Sequence, residues 1–376
     1  MRVLVTTCPA HGHFLPLVPL CWSLRAAGHD VLVATPEPFV AYAATAGLPV
    51  VAATDPFDPR AVMRPEPATD RLELLTGTGR GFGRLAARTV DGLAGLVGRW
   101  RPDLLLTEPT EYAGPIAAAA HGVPYAIQTY GIASRRELHE AAHAELAPVY
   151  ARFGLAGRPR ESLYLDVCPA QLQLPDQPAG VRMRYVPYNG AADVTADIPD
   201  PGRPLAVVTA GSFLGRAPAV QELLRGIVAD LGGLGLAVAL AVDPAVREQL
   251  GPLPAHVVAA GWLSLDQVLP RAAVAVHHGG AGTTMTCAAH GVPQLALPFV
   301  NDNFDHGERV AAAGAGRCLP GAEAEPAAVR AAVRELLDDP AARPAAARLA
   351  ADNAAAPAPP ALVPALEARA LAGVPA

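Results

Sequence analysis

The chain has 376 residues, of which 51% are hydrophobic, and a formal net charge of −6 at pH 7. This length exceeds what one hydrophobic core usually supports, so two packed domains are expected. The acidic balance argues against nucleic acid and anionic membranes as partners.

All 29 basic residues are arginine, because the sequence contains no lysine. P-loop, kinase-type and Schiff-base chemistry each require a lysine amine, which arginine cannot replace because it stays protonated. These enzyme classes are therefore excluded. The five cysteines include no C-x-x-C pair, and no apolar run approaches the ~20 residues of a membrane span. A soluble, cytoplasmic protein is predicted.

The first half of the chain alternates between strand and helix patterns, which is typical of β-α-β units in a parallel sheet. The predicted elements are a strand at 2–7, a helix at 17–27, a strand at 31–35, a strand at 103–107, a helix at 113–120 and a strand at 125–129. The second half repeats the alternation. Its predicted elements are a strand at 205–209, a helix at 220–231 and strands at 237–242 and 273–276.

The hexapeptide Ala-Ala-His-Gly-Val-Pro occurs at 119–124 and again at 288–293, which indicates two similar halves. In each copy the glycine, Gly122 or Gly291, is predicted to cap a helix, with the preceding histidine near the helix C-terminus.

The predicted fold class is α/β, with two facing doubly wound Rossmann-like domains and a ligand cleft at the carboxyl ends of their strands. The predicted boundaries are 1–192 for the first domain, 193–204 for a linker rich in Asp, Pro and Gly, 205–345 for the second domain, and 346–376 for a helical tail. One expectation for this tail is that it crosses back to the first domain.

A glycine-rich turn joins the strand at 273–276 to the next helix, with the sequence His-His-Gly-Gly-Ala-Gly-Thr-Thr at 277–284. Glycines at a helix N-terminus let an anion approach unpaired backbone amides, and the helix dipole favours negative charge there. His278 and the Thr283 hydroxyl add side-chain donors. The turn therefore predicts a diphosphate site.

Two histidines, His11 and His13, follow the first strand at the place where a dinucleotide-binding protein shows G-x-G-x-x-G. The absence of that fingerprint argues against a dehydrogenase. A histidine at this edge of a sheet titrates near neutral pH and can serve as a base.

Several of these segments together resemble one enzyme family. The turn at 277–284, Gly291-Val292-Pro293-Gln294, Pro298 and Asp302-Asn303 are similar to the donor-binding signature of inverting, nucleotide-sugar-dependent glycosyltransferases of the two-Rossmann-domain (GT-B) type. The similarity is greatest to bacterial enzymes that glycosylate antibiotics and polyketides. Gly12-His13 with Pro16, Pro102-Asp103 and Gly261-Trp262 match in the same order, so the resemblance spans nearly the whole chain.

The resemblance implies donor-binding residues in the second domain. The diphosphate would contact Ser212, His278, Gly280, Ala281, Gly282 and Thr283. Trp262 would stack on the nucleobase of the donor, and Asp302 and Asn303 would bind the sugar hydroxyls. Many relatives have glutamine where this chain has Asn303.

The resemblance also places the general base at His13, which would take the acceptor's hydroxyl proton as the oxygen attacks the anomeric carbon with inversion. A base histidine needs an orienting carboxylate. Glu108, after the strand at 103–107, is the candidate, and Glu111 is its rival. The residues expected to contact the acceptor are Glu111, Tyr130, His139 and His143. Segments 55–82 and 132–150 are predicted to form loops and short helices around it.

The implied reaction moves a deoxysugar from a dTDP- or UDP-sugar to a hydroxyl of a polyketide-like aglycone. The first domain would bind the acceptor and the second the donor, with no metal and no organic cofactor. The expected partners are these two small molecules, and a homodimer is left open.

Three alternatives remain. His139-Glu140-Ala141-Ala142-His143 matches the H-E-x-x-H motif of zinc metalloproteases, although no G-x-x-H follows it. Nucleotide-sugar epimerases share the expected fold but do not need a base in the first loop. A catalytically inactive partner of an active transferase is disfavoured, because both His13 and His278 are present.

Overall fold

The structure is a computed structural model that describes residues 1–64, 66–175, 177, 179–190, 202–211, 215–300 and 302–373. The chain folds into two compact units. The first comprises Met1–Cys168, Pro175–Val186 and Ala356–Ala376, and the second comprises Pro169–Leu174 and Pro187–Ala355.

The first unit is built on a seven-stranded parallel sheet. Its strands are β1 (Arg2–Thr6), β2 (Asp30–Thr35), β3 (Val50–Ala52), β4 (Leu104–Thr107), β5 (Tyr125–Gln128), β6 (Leu163–Asp166) and β7 (Val181–Arg182). They lie in the order β3-β2-β1-β4-β5-β6-β7, with Val3 of β1 opposite both Val31 and Leu104. The strand order reverses between β1 and β4, which is where doubly wound sheets bind their ligands.

Helices follow the strands of this sheet. They are α1 (His11–Phe14), α2 (Val18–Ala26), α3 (Glu37–Ala44), α4 (Pro59–Met63), α5 (Arg71–Trp100), α6 (Ala113–Ala120), α7 (Arg136–Glu145) and α8 (Ala147–Arg152), with a 3₁₀ turn at Leu15–Leu17. Leu4 and Leu105 of the sheet share a core with Val90 of α5 and Ile116 of α6. The central strands are apolar on both faces because helices cover both faces.

Helix α5 corrects one prediction, since a continuous helix from Arg71 to Trp100 replaces the loops and short helices predicted up to residue 82. Its many glycines lower its helix propensity and concealed it. They also permit close packing against α7: a Cβ at Gly83 would lie 2.8 Å from Cβ of Glu145, and one at Gly79 would collide with the Leu138 carbonyl. The segment 132–150 does contain the short helices α7 and α8, as predicted.

The second unit is built on a six-stranded parallel sheet. Its strands are β8 (Leu205–Thr209), β9 (Ala237–Ala241), β10 (Val257–Gly261), β11 (Ala272–His277), β12 (Gln294–Ala296) and β13 (Gly316–Cys318), in the order β10-β9-β8-β11-β12-β13. This sheet reverses its order between β8 and β11. Val208, Leu240 and Val276 form the core of one face.

The helices of the second unit are α9 (Pro218–Leu231), α10 (Pro244–Leu250), α11 (Leu265–Val268), α12 (Ala281–His290), α13 (Asn303–Ala312), α14 (Pro326–Asp338) and α15 (Ala342–Ala355). Short 3₁₀ turns lie at Gly232–Leu234, Leu269–Arg271 and Gly321–Glu323. Gly122 after α6 and Gly291 after α12 both have φ of 65°. The capping glycines predicted from the repeated hexapeptide are therefore confirmed.

The end of the chain is divided between the units. Helix α15 belongs to the second unit, whereas α16 (Pro359–Ala372) belongs to the first. The segment predicted as a tail, 346–376, thus contributes to both. Positions 193–201 of the predicted linker, 193–204, lie outside the described residues. The predicted α/β class with two parallel sheets is confirmed.

Candidate functional site

The base candidate, His13, lies in α1, which follows β1 directly. Its ring nitrogen Nδ1 is 3.0 Å from Oε1 of Glu108, the first residue after β4. The two residues meet because β1 and β4 are neighbours and parallel, so both strands end at the same edge of the sheet. The His13 side chain is 18% exposed, whereas that of Glu108 is fully buried. The sequence-predicted pair is therefore in contact.

Four hydrogen-bond contacts hold the buried Glu108 carboxylate in place. Oε2 accepts from the Thr110 amide at 2.7 Å and from the Thr110 hydroxyl at 2.9 Å. Oε1 accepts from the Cys8 amide at 3.3 Å and faces His13. Burial alone would raise the pKa of Glu108, but the charge and hydrogen bond of His13 and the Thr110 donors lower it to about 2. The carboxylate is therefore ionised at neutral pH.

Glu111 serves a different purpose in the fold. Its carboxylate accepts from the amides of Ala113 and Gly114 at the start of α6 and from the hydroxyls of Thr6 and Thr107. Burial raises its pKa. Its oxygens accept hydrogen bonds within the fold and only 6% of the residue is exposed, so Glu111 caps the start of α6. The carboxylate on His13 is that of Glu108.

Aromatic rings surround the His13 imidazole. The Tyr130 ring packs edge-on against it with centroids 5.0 Å apart, and the Phe82 ring lies at 5.5 Å. Phe82 comes from α5, the helix that the sequence pattern concealed. The Tyr130 hydroxyl lies 3.3 Å from that of Ser134.

The two histidines of the H-E-x-x-H motif lie on α7, and each contacts a tyrosine. Nδ1 of His139 is 2.8 Å from the Tyr112 hydroxyl, and Nδ1 of His143 is 2.6 Å from the Tyr150 hydroxyl. Burial, together with the positive charge of Arg158, lowers the pKa of both to about 4, so both are neutral. Their Nδ1 atoms are thus engaged inside the first unit.

One group of metal-ligating side chains, Cys8, His13 and Glu108, has its ligand atoms within 4.8 Å of one another in the described part of the chain. A metal there would replace the hydrogen bond between His13 and Glu108, because both residues would be its ligands. Burial and the charges of Glu108 and Glu111 raise the pKa of the Cys8 thiol, which therefore stays protonated at neutral pH. A thiol must lose its proton to bind a metal.

The glycine-rich turn lies after β11, beside the end of β8. The His278 ring fits between two glycines: a Cβ at Gly211 would lie 2.5 Å from its Cε1, and one at Gly280 would collide with its Nε2. Burial and the neighbouring His277 and His306 lower the pKa of His278 to about 3, so the ring is neutral. Among the described residues, no hydrogen-bond partner is found for its buried Nδ1.

Helix α12 begins directly after this turn. Its N-cap residue is Gly280, which has no side chain to accept from the first amides of Ala281, Gly282 and Thr283. Those amides and the helix dipole therefore present positive charge beside His278. This arrangement suits a diphosphate.

The other predicted donor residues also lie at the carboxyl edge of the second sheet. Trp262 follows β10 and is partly buried, Asp302 is the N-cap residue of α13, and Asn303 begins that helix and is 7% exposed. Ser212 lies outside the described residues, one position after Gly211 at the end of β8.

Two residues in these sites were missed by the sequence reasoning. Thr110 contacts both His13 and Glu108, with its hydroxyl 3.1 Å from Nδ1 of His13. His306 donates from Nδ1 to the Gly279 carbonyl at 2.8 Å. Its spacing of four from Asp302 places both on one side of α13, and this is the signal that could have identified it. No comparable pattern marks Thr110.

The chain is similar to known proteins over most of its length. The N-terminal domain of the family described as Erythromycin biosynthesis protein CIII-like matches residues 22–200, and the C-terminal domain of the same family matches residues 225–369. The L-demethylnoviosyl transferase of Streptomyces niveus is 42% identical over 328 residues, which cover 85% of each chain.

Solved structures are similar over nearly the full length. The glycosyltransferase SsfS6 of Streptomyces sp. SF2575, complexed with thymidine diphosphate, has a TM-score of 0.85 and 37% identity, covering 98% of this chain and 99% of its own. The spinosyn rhamnosyltransferase SpnG, complexed with spinosyn aglycone, has a TM-score of 0.86 and 32% identity, covering 98% and 100%.

No helix among the described residues is long and apolar enough to cross a membrane. The fold and the full-length similarity confirm the predicted family resemblance. The chain belongs to the Erythromycin biosynthesis protein CIII-like family and is a GT-B glycosyltransferase of natural-product biosynthesis.

Proposed function

We propose that the chain transfers a deoxyhexose from a thymidine diphosphate sugar to a hydroxyl of a natural-product aglycone, with inversion and without a metal. SsfS6 with bound thymidine diphosphate supports the donor, and SpnG, a rhamnosyltransferase with bound aglycone, supports the sugar and acceptor classes. The first unit would bind the acceptor and the second the donor.

The observation that carries the mechanism is the contact between Nδ1 of His13 and the ionised Glu108. A carboxylate only accepts hydrogen bonds, so the proton of the neutral imidazole sits on Nδ1 and the lone pair sits on Nε2. Nε2 is then the atom that takes the acceptor's proton. Glu108 stabilises the resulting imidazolium, as the buried carboxylate does for other base histidines.

The bonds change in one displacement. The acceptor oxygen forms a bond to the anomeric carbon while the bond from that carbon to the diphosphate oxygen breaks. The electron pair leaves with thymidine diphosphate, and the proton ends on Nε2 of His13. Because the nucleophile attacks opposite the leaving group, the configuration inverts.

The turn at 277–280 and the start of α12 stabilise charge on the leaving diphosphate. Neutral His278 donates one ring N–H, and the amides of Gly280, Ala281, Gly282 and Thr283 add dipoles, with Thr283 also offering its hydroxyl. Such fixed donors supply the stabilisation that a metal supplies elsewhere. Trp262 stacks on the thymine, Asp302 and Asn303 bind the sugar, and Ser212 adds a donor to the diphosphate.

Tyr130 and Phe82 form the acceptor wall beside His13. His139 and His143 shape that side of the unit through Tyr112 and Tyr150.

To test this function, the purified chain is incubated with thymidine diphosphate sugars and a panel of aglycones. The amounts of free thymidine diphosphate and of glycoside are measured in the same reaction. A transferase releases the diphosphate only when an acceptor is present and in equal amount to the glycoside. Release without acceptor would favour the epimerase alternative. The coupling constant of the anomeric proton in the product reports inversion, and a retained configuration would contradict the mechanism.

A further inference from the structure

Two buried histidines hold the backbone of the phosphate-binding turn on either side of Gly279. The amide of Gly279 donates to Nδ1 of His277 at 3.0 Å, and its carbonyl accepts from Nδ1 of His306 at 2.8 Å. Gly279 has φ of 82°, and a Cβ at this position would lie 2.6 Å from the Asn303 carbonyl oxygen. Only glycine therefore fits, and both peptide units that flank it are fixed by a histidine.

The tautomer of each histidine follows from its partners. His277 accepts at Nδ1, so its proton is on Nε2, which faces Oε1 of Gln294 at 2.9 Å. The Gln294 amide is oriented in turn by donating to the Thr284 carbonyl. The carbonyl of Gly279 can only accept, so His306 carries its proton on Nδ1.

Fixing the Gly279 carbonyl also fixes the next amide. The Gly279 carbonyl and the Gly280 N–H belong to one planar trans peptide, in which they point in opposite directions. With the carbonyl held by His306, the Gly280 N–H is turned away from α13. Gly280 is the N-cap residue of α12, where the amides that suit a diphosphate begin.

We propose that His306 is a positioning residue for the donor diphosphate, acting through the peptide between Gly279 and Gly280. This inference rests on the proposed function. His306 is fully buried, and no partner is found for its Nε2 among the described residues. An unpaired buried nitrogen costs stability, so packing alone would favour an apolar residue here. Helix α13, which carries His306, begins at Asp302 and Asn303. It therefore connects the peptide between Gly279 and Gly280 to the residues proposed to bind the sugar.

The experiment measures thymidine diphosphate binding by calorimetry for the wild type, His306→Asn and His306→Leu. Asparagine offers an N–H at nearly the place of Nδ1, whereas leucine has similar size and no donor. We expect the leucine variant to bind about 10- to 100-fold more weakly, which is the effect of losing one buried hydrogen bond. The asparagine variant should bind like the wild type. The KM for the donor should rise in the leucine variant while the KM for the acceptor stays unchanged.

The matched control is His256→Leu, because Nε2 of His256 makes the same kind of bond, at 2.7 Å, to the Val228 carbonyl of α9, away from the turn. It should lower the unfolding midpoint and leave thymidine diphosphate affinity unchanged. Equal affinity of wild type and His306→Leu, or equal weakening by His256→Leu, would overturn the inference while the proposed function stands. A wild-type chain that does not bind thymidine diphosphate would contradict the proposed function itself and this inference with it.

A second measurement does not depend on the leucine variant folding. Nitrogen NMR of the wild type, with His306 assigned by comparison with His306→Asn, should show its proton on Nδ1. A proton on Nε2 would overturn the inference, because the bond to Gly279 would then be absent.

Discussion

Nδ1 of His13 lies 3.0 Å from Oε1 of Glu108, although 95 positions separate the two residues in the chain. The contact exists because β1 and β4 are adjacent at the point where the first sheet reverses its strand order. It places an ionised, buried carboxylate against the imidazole that we propose as the base.

Replacing His13 with alanine should lower the transfer rate by about 10²- to 10⁴-fold, the usual contribution of a positioned general base. Thymidine diphosphate affinity, measured by calorimetry, should stay the same, because the diphosphate site lies in the other unit. The control is His11→Ala on the same short helix, whose ring packs against Tyr42 instead. Loss of nucleotide binding in His13→Ala would contradict the assignment, as would an equal rate loss in His11→Ala.

Glu108→Gln and Glu111→Gln form a matched pair, since both remove a buried carboxylate three positions apart. Glu108→Gln should reduce kcat by up to about 10⁴-fold, because a neutral amide neither fixes the tautomer of His13 nor stabilises its imidazolium. Glu111→Gln should leave kcat nearly unchanged, because that side chain caps α6. Steady-state kinetics with the folded variants measures both, and the reverse ranking would show that Glu111 is the orienting group.

Thr110→Val should lower kcat by about 10-fold, since it removes one hydrogen bond to a charged group, and Thr110→Ser should restore the rate. The hydroxyl of Thr110 orients Glu108 and does not contact substrate in this scheme. The KM values should therefore stay constant while the acidic limb of the kcat against pH profile shifts. Unchanged kcat and pH profile in Thr110→Val would exclude this role.

The raised pKa of Glu111 makes a signed prediction for stability. Because burial raises the pKa of this acid in the fold, its contribution is fully present below the unfolded pKa of about 4.3 and is lost as pH rises through the folded value. The free energy of unfolding of Glu111→Gln should therefore improve relative to the wild type as pH increases. Urea unfolding of both proteins across this range tests the sign, and an opposite slope would show that the carboxylate is stabilised in its charged form.

His278→Ala should weaken thymidine diphosphate binding by about 10-fold or more, because a buried donor to a charged phosphate is lost. Calorimetry measures this change.

The wild type should retain its activity in excess chelator, because fixed donors stabilise the leaving diphosphate in the proposed mechanism. A chelator titration of the transfer rate tests this. Activity that disappears with chelator and returns with a divalent cation would contradict the metal-free proposal.

Much of this site could be predicted from local pattern. The alternation of apolar runs with segments of helical periodicity predicted the parallel sheets. This was possible because hydrophobic periodicity and turn chemistry are properties of short segments. The turn at 277–284 was recognisable because glycines at a helix start have a direct chemical use. Glu108 could be proposed because it follows a strand and therefore lies at the carboxyl edge of the sheet, whereas the choice of His13 over His11 came from the family resemblance.

Other features depended on packing between distant segments. Helix α5 was hidden because its glycines weaken helix propensity, and the close approach of α7 to Gly79 and Gly83 is visible only in the fold. The choice between Glu108 and Glu111 depended on hydrogen-bond partners that strand pairing brings together. His306 is four residues from Asp302 on α13, but its partner is the carbonyl of Gly279, 27 positions earlier in the chain.

The sequence by itself determined the fold class, the family and the strand ends at which chemistry occurs, because these depend on local periodicity and short motifs. Only the tertiary structure decided which carboxylate faces the base, which histidines hold the phosphate turn, and that the last helices are divided between the two units. Those choices depend on contacts of a few ångströms between residues far apart in the chain, and such contacts exist only once the sheets have formed.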